Sequence, residues 1–208
     1  MAQFNPSCRL CPRIGNYLDG IRKNYPQYHA APVPPFGPRR AKLFIVGLAP
    51  GLHGANATGR PFTGDFAGIL LYDTLYRFGF ANRPVSEYEN DGLILRNCRI
   101  SNAVKCVPPA NKPTGAEISN CNLYLQSELQ DLPESTVVLA LGHVAHNAIL
   151  KALALRLKDY PFAHGCQYRL PGDLVMLDSY HCSRYNTQTG RLTQKMFQKI
   201  FYKIHEIL

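Results

Sequence analysis

The run Lys42 to Gly47 (KLFIVG) has the continuous apolar character of a buried strand, and it opens directly into Gly47 to Asp65, GLAPGLHGANATGRPFTGD. Those nineteen residues hold five glycines, two prolines and only two formal charges, Arg60 and Asp65. The next segment, FAGILLYDTLYRF, returns to helical spacing. A glycine-rich turn between a strand and a helix stands where open α/β sheets bind ligands, at the carboxyl ends of the strands. Leu48, Leu52 and Phe62 are out of place on a solvated loop. The stretch is therefore expected to form a pocket wall.

The rest of the chain repeats the alternation. Strands are expected near Cys98–Val104, Thr136–Leu141, Gln167–Leu170 and Leu174–Leu177. Helices are expected over Arg13–Tyr25, Phe66–Phe78, Thr114–Leu132 and His143–Leu155, and in a last segment ending at Leu208. Thr114-x-x-Glu117 is a capping-box signature, and Phe197, Ile200, Phe201, Ile204 and Leu208 recur at helical steps. Pro26, Pro32, Pro34, Pro35 and Pro38 keep the Tyr25–Arg40 segment extended. The pattern predicts an α/β protein: a three-layer α/β/α sandwich with a mostly parallel central sheet of about four strands. A single domain spans residues 1–208, with residues 1–40 as an N-terminal arm. Parallel strands would bring three loops, Gly47–Asp65, Asn102–Pro113 and Ser179–Arg191, to one rim and make a single site.

The formal net charge of +9 favours a polyanionic partner, modestly, because the Lys and Arg are scattered. No stretch reaches the ~20 apolar residues that cross a bilayer, and MAQFNPSCRLC lacks the pattern of a signal peptide. A cytoplasmic protein without a membrane partner is expected. In a reducing compartment, seven cysteines point to metal ligation or buried thiols rather than disulfides. Cys8-x2-Cys11 is a chelating pair, and Cys106 and Cys121 supply a possible second pair. Four thiolates suit zinc or an iron–sulfur cluster, and spacing leaves the metal open. Cys98, Cys166 and Cys182 read as small apolar side chains. Cys182 follows His181, but neighbours on extended backbone face opposite sides, which speaks against a Cys–His nucleophile.

Five segments taken in order, CRLCPR, GLAPGLHGANATGRPFTGD, SNAVKCVPPANKP with the later Cys121, LALGHVA and SYHCSRYNTQTGRLT, resemble the uracil-DNA glycosylase superfamily. The resemblance is greatest to its type-B, or family 5, branch. It implies an α/β/α fold, a structural [4Fe-4S] cluster on Cys8, Cys11, Cys106 and Cys121, and removal of uracil from DNA. Hypoxanthine, xanthine or other deaminated bases are implied as further substrates, with an abasic site as the product and a monomer as the acting form.

The resemblance also implies the site. Many relatives carry an acidic or amide side chain directly after the first glycine of the first motif, where this chain has Leu48. The type-B pattern moves the catalytic carboxylate to the position of Asp65, the one acid in the stretch. Asp65 would otherwise serve as an N-cap. His181 matches the histidine of a His-Pro-Ser motif that sits near the base oxygen; here Cys182 replaces the proline and the loop loses a φ lock. Gly47, Leu48 and Ala49 would give close backbone approach, Phe62 a stacking face for the base, and Asn102 a donor and an acceptor for its edge. Arg184 and Tyr185 lie in the loop that relatives push into the duplex, for phosphate contact and wedging. Lys105, Lys112 and Arg191 are further basic residues for backbone contact. A non-catalytic, zinc-stabilised nucleic-acid-binding module accounts equally well for charge and cysteines, but not for the pocket loop or His181.

Overall fold

The computed structural model describes residues 3–208; Met1 and Ala2, which the single-domain reading includes, lie outside the described residues. Five strands, β1 (Leu43–Gly47), β2 (Cys98–Asn102), β3 (Val137–Leu141), β4 (Gln167–Leu170) and β5 (Leu174–Ser179), form one sheet in the order β2-β1-β3-β5-β4. All five fall where the sequence places strands, and four of them are parallel, in line with a mostly parallel sheet of about four central strands. The first three and β5 are parallel. β4 is antiparallel to β5, because only Pro171, Gly172 and Asp173 separate Leu170 from Leu174. So short a link permits a hairpin and not a crossover.

Alternate side chains of the strands feed two separate cores, as the period of two requires. Leu43, Ile45, Ile100, Val137, Leu139 and Leu177 face α3 (Phe66–Arg77) and α7 (Gln194–Ile207). Phe44, Val46, Val138, Ala140 and Met176 face α4 (Gly115–Gln130) and α5 (His143–Ala152). Strands buried on both faces read as unbroken apolar runs, and β1 and β3 have no exposed residue. The capping box at Thr114 and Glu117 forms as the sequence predicts.

The arm contributes α1 (Pro12–Asn24), whose Ile14, Leu18 and Ile21 pack on Val104, Val107 and Tyr124. A bidentate pair from Arg13 to Glu117, at 2.8 and 2.6 Å, fastens α1 to the start of α4. Two short helices, α2 (Ala55–Thr58) and α6 (Arg184–Gln188), lie inside segments that read as loops. No helix among the described residues is long and apolar enough to cross a membrane.

The register sets the level of the site. Gly47 pairs with Asn102, and Leu141 with Ser179, so the parallel strands end together. The strand order reverses at β1 and β3, which is where a sheet of this kind opens a crevice.

Candidate active site

The loop after β1 folds back over the strand ends because three glycines leave room for it. A Cβ on Gly47 would lie 2.5 Å from Asn102 Oδ1 and 2.6 Å from the Phe62 ring, so only glycine lets those side chains meet there. Phe62 is bulky yet has a φ of +60°, a strained left-handed conformation. Its neighbours hold it there. Arg60, buried, donates to Thr63 Oγ1 at 2.9 Å, to Asp91 at 2.6 Å and to the Tyr88 and Glu89 carbonyls. Tyr72 donates its hydroxyl to the Pro61 carbonyl at 2.6 Å. The Asp91 carboxyl is buried, which opposes ionisation. Arg60 and the N–H groups of Glu87 and Leu93 outweigh that burial and hold it below the usual carboxylate range.

Asp65 occupies the N-cap position of α3, as the capping alternative expects, but its side chain makes no cap hydrogen bond. The carboxylate turns the other way and accepts the Ala55 N–H at 3.0 Å. Gly51 and Gly54 form its cradle: a Cβ on either would fall 2.2 or 2.0 Å from Asp65 Oδ1. Burial raises the pKa of Asp65 against the opposing pull of the Ala55 and Gly51 N–H groups.

His181 follows β5. Its ring lies 6.0 Å from that of Phe62 with the planes 25° apart, and its carbonyl accepts from Asn186 Nδ2 at 2.8 Å. Among the described residues neither ring nitrogen has a hydrogen-bond partner. Desolvation pushes its pKa down to about 4. At neutral pH it is therefore an uncharged imidazole with one free N–H. Cys182 points into the core behind it and its thiol is pushed up to about 12 by burial, which removes it as a nucleophile.

These groups line one open cleft of about 440 Å³. Leu48, Ala49, Phe62, Asp65, Asn102 and His181 form its walls, as the sequence predicts, and Arg184 stands at its mouth with its guanidinium 4.9 Å above the Phe66 ring. Gly47 lies directly behind Asn102 and Phe62. Tyr185 is not in the wall; it projects into solvent at 70% exposure. Asn111 also lines the cleft and the sequence does not single it out. Ala110 and Asn111 both have positive φ, at 54° and 55°, which turns the Pro109–Asn111 segment inward. Asparagine tolerates that conformation better than most residues, which was the available signal. Lys105 is a correction: it is 1% exposed and pairs with Glu128, so it is not available to a DNA backbone.

A second, tight pocket is lined by Cys8, Cys11, Cys106 and Cys121 together with Ile14, Leu18 and Tyr124. The expected four-cysteine set is therefore gathered in one place. Burial, reinforced by the neighbouring thiols, pushes Cys106 up to about 12 and Cys121 up to about 11. Such thiols ionise together only beside a cationic group. Cys121 Sγ accepts the Lys105 N–H at 3.2 Å and Cys11 Sγ accepts from Asn120 at 3.7 Å. Among the described residues no three His, Cys, Asp or Glu side chains are close enough to hold one metal ion. Zinc–sulfur bonds of ~2.3 Å place thiolates about 3.8 Å apart, whereas a cluster of several metals holds one thiolate at each and spreads them wider. Four thiols in one pocket are a donor set that suits either zinc or an iron–sulfur cluster.

The description of the Uracil DNA glycosylase superfamily matches residues 34–205. The chain belongs to this superfamily. It is 46% identical over 199 residues to the type-5 uracil-DNA glycosylase of Thermus thermophilus, a match covering 93% of this chain and 90% of that protein. The type-5 uracil-DNA glycosylases of Pyrobaculum aerophilum and Mycobacterium leprae are each 39% identical, with 93% of this chain matched to 86% and 88% of theirs. The Gly47–Asp65 loop after β1 thus divides into a backbone floor (Gly47 to Gly51), a ring (Phe62) and a carboxylate (Asp65).

Proposed function

We propose that this protein is a DNA repair glycosylase that hydrolyses the N-glycosidic bond of uracil in DNA and leaves an abasic site. The observation that carries the proposal is the isolated Asp65 carboxylate, cradled by two glycines and facing the same cleft as Phe62, Asn102 and neutral His181. Inside a duplex neither C1′ nor the base edge can be reached, so the nucleotide must leave the stack. Phe62 offers it a face and the Asn102 amide offers an edge. As the C1′–N bond lengthens, the base takes the electron pair and His181 donates its N–H toward the base oxygen. The Asp65 carboxylate stabilises the positive charge growing on the sugar and orients a water. The water oxygen bonds to C1′, and its proton passes through Asp65 toward the departing base. No lysine is among the residues lining the cleft, so strand cleavage through a lysine imine has no agent there.

The cleft is open enough to admit purines, and hypoxanthine and xanthine belong within the proposed range. Arg184 takes a phosphate and the solvent-facing Tyr185 wedges the duplex. Cys8, Cys11, Cys106 and Cys121 hold a structural [4Fe-4S] cluster that ties the arm to α4. The proposed acting form is a cytoplasmic monomer. The zinc-stabilised binding module is not favoured, because it leaves the cleft and its carboxylate without a purpose. Oligonucleotides bearing uracil, hypoxanthine or xanthine, incubated with the protein and then treated with alkali, test the reading. A break at uracil is expected; intact strands with all three bases would refute it.

A further inference from the structure

Lys105 is among the largest fully buried side chains in the molecule, an unusual place for an ammonium. All three of its donors are used. They reach Ser101 Oγ at 2.6 Å, the main-chain carbonyl of Asn102 at 2.8 Å and the Glu128 carboxylate at 2.8 Å. Ser101 in turn donates its hydroxyl to Glu128 at 2.8 Å. The backbone of Lys105 is committed as well: its N–H donates to Cys121 Sγ at 3.2 Å and its carbonyl accepts the Val33 N–H at 2.7 Å.

An apolar side chain of the same length would fill this space without the desolvation penalty, and buried ion pairs often bring no net stability over such a replacement. What an apolar residue cannot do is grip a carbonyl. The carbonyl gripped here belongs to Asn102, whose side-chain amide faces the cleft with no hydrogen-bond partner among the described residues. The other ends of the network lie on α4, which carries Cys121.

We propose that Lys105 is a positioning residue: it fixes the Asn102 peptide, and with it the amide that meets the base edge, and locks that peptide to α4. The base-reading end of β2 and the four-cysteine pocket then move as one body. The inference rests on the reading of the cleft as a base pocket, and the test separates the two.

Lys105→Met alone strands a buried carboxylate and lowers stability whatever the role of the lysine. The informative variant is Lys105→Met with Glu128→Gln, which removes both charges at nearly constant volume. Its melting temperature is expected within a few degrees of the parent. Its single-turnover excision of uracil falls about 10- to 100-fold, as small misplacements of a positioning group do, and calorimetry shows free uracil binding weaker by a similar factor. Glu128→Gln alone strands the buried ammonium and lowers the melting temperature, but it keeps the grip on Asn102, so at a temperature where the variant is folded it stays within about threefold of the parent in both readouts. A double variant with parental excision and parental uracil affinity overturns the proposal, and so does a single Glu128→Gln variant that loses as much as the double. A parent that excises no uracil instead refutes the glycosylase reading, and this inference with it.

Discussion

Gly51→Ala tests the cradle of Asp65 without touching a reacting group. The new methyl would lie 2.2 Å from Asp65 Oδ1, 3.1 Å from its Cγ and 3.5 Å from Oδ2. Ordinary contact needs more than 3 Å, so the carboxylate must move by about 1 Å or the loop must spread. A displacement of that size at a reacting group costs roughly 100-fold in rate. Overpacking of this kind costs about 1–3 kcal/mol in stability, or a few degrees of melting temperature for a chain of this length. The assay is single-turnover excision of uracil from a duplex at saturating enzyme, with DNA affinity measured in parallel. The expected result is a rate about 100-fold lower with DNA affinity unchanged within a few-fold. Gly20→Ala, on α1, is the control, because nothing lies within 4 Å of the added Cβ. A Gly51→Ala rate within threefold of the parent would refute the placement of Asp65 as the group that acts on the sugar.

The pH profile provides a second check. Asp65 must be ionised and its pKa is raised by burial, so the rate should rise as pH passes a midpoint above the ordinary carboxylate value of about 4 and then stay flat. His181, at about 4, is already neutral there, and His181→Gln should lower the plateau without moving the limb. A limb that vanishes in His181→Gln would reassign it. Asp91→Asn strands the buried Arg60 guanidinium and should cost about 3–5 kcal/mol, read as a melting-temperature drop of about 10 °C. Asp91 has a depressed folded pKa, so the stability it contributes is complete above its unfolded pKa and is lost as pH falls through the folded one. The acid-induced loss of stability should therefore be shallower in the variant. Phe62→Ala should remove about 1–3 kcal/mol of stacking, seen as weaker binding of free uracil. Cys121→Ser should abolish a brown colour and broad visible absorbance; a colourless parent would contradict the cluster.

Much of this was legible in the chain because burial leaves a mark on composition. LFIVG and VVLAL are buried on both faces and could be little else, and the Thr114/Glu117 box announced α4. Asp65 stood out as the one acid in an apolar loop. The features that escaped depend on direction in space. Nothing in the sequence says that Asp65 turns from its own helix toward Ala55, or that Gly51 and Gly54 are small because a carboxylate occupies their Cβ positions. A lone lysine reads as surface, and only the fold reveals that the Lys105 ammonium is enclosed by Ser101, Asn102 and Glu128. Asn111 enters the cleft through two successive positive φ angles that local sequence does not dictate. The short helices α2 and α6 carry no apolar period and are set by their surroundings.

The most direct measurement compares the parent with Asp65→Asn on a uracil-containing duplex under single-turnover conditions. Asparagine keeps the size of the side chain and can still accept the Ala55 N–H, so folding and DNA affinity should be preserved. A carboxylate acting on a unit charge across about 4 Å, at an effective dielectric constant of about 20, supplies about 4 kcal/mol, which is roughly 1000-fold in rate. The account predicts a loss of that order with DNA binding unchanged. Comparable rates for the two proteins would contradict it.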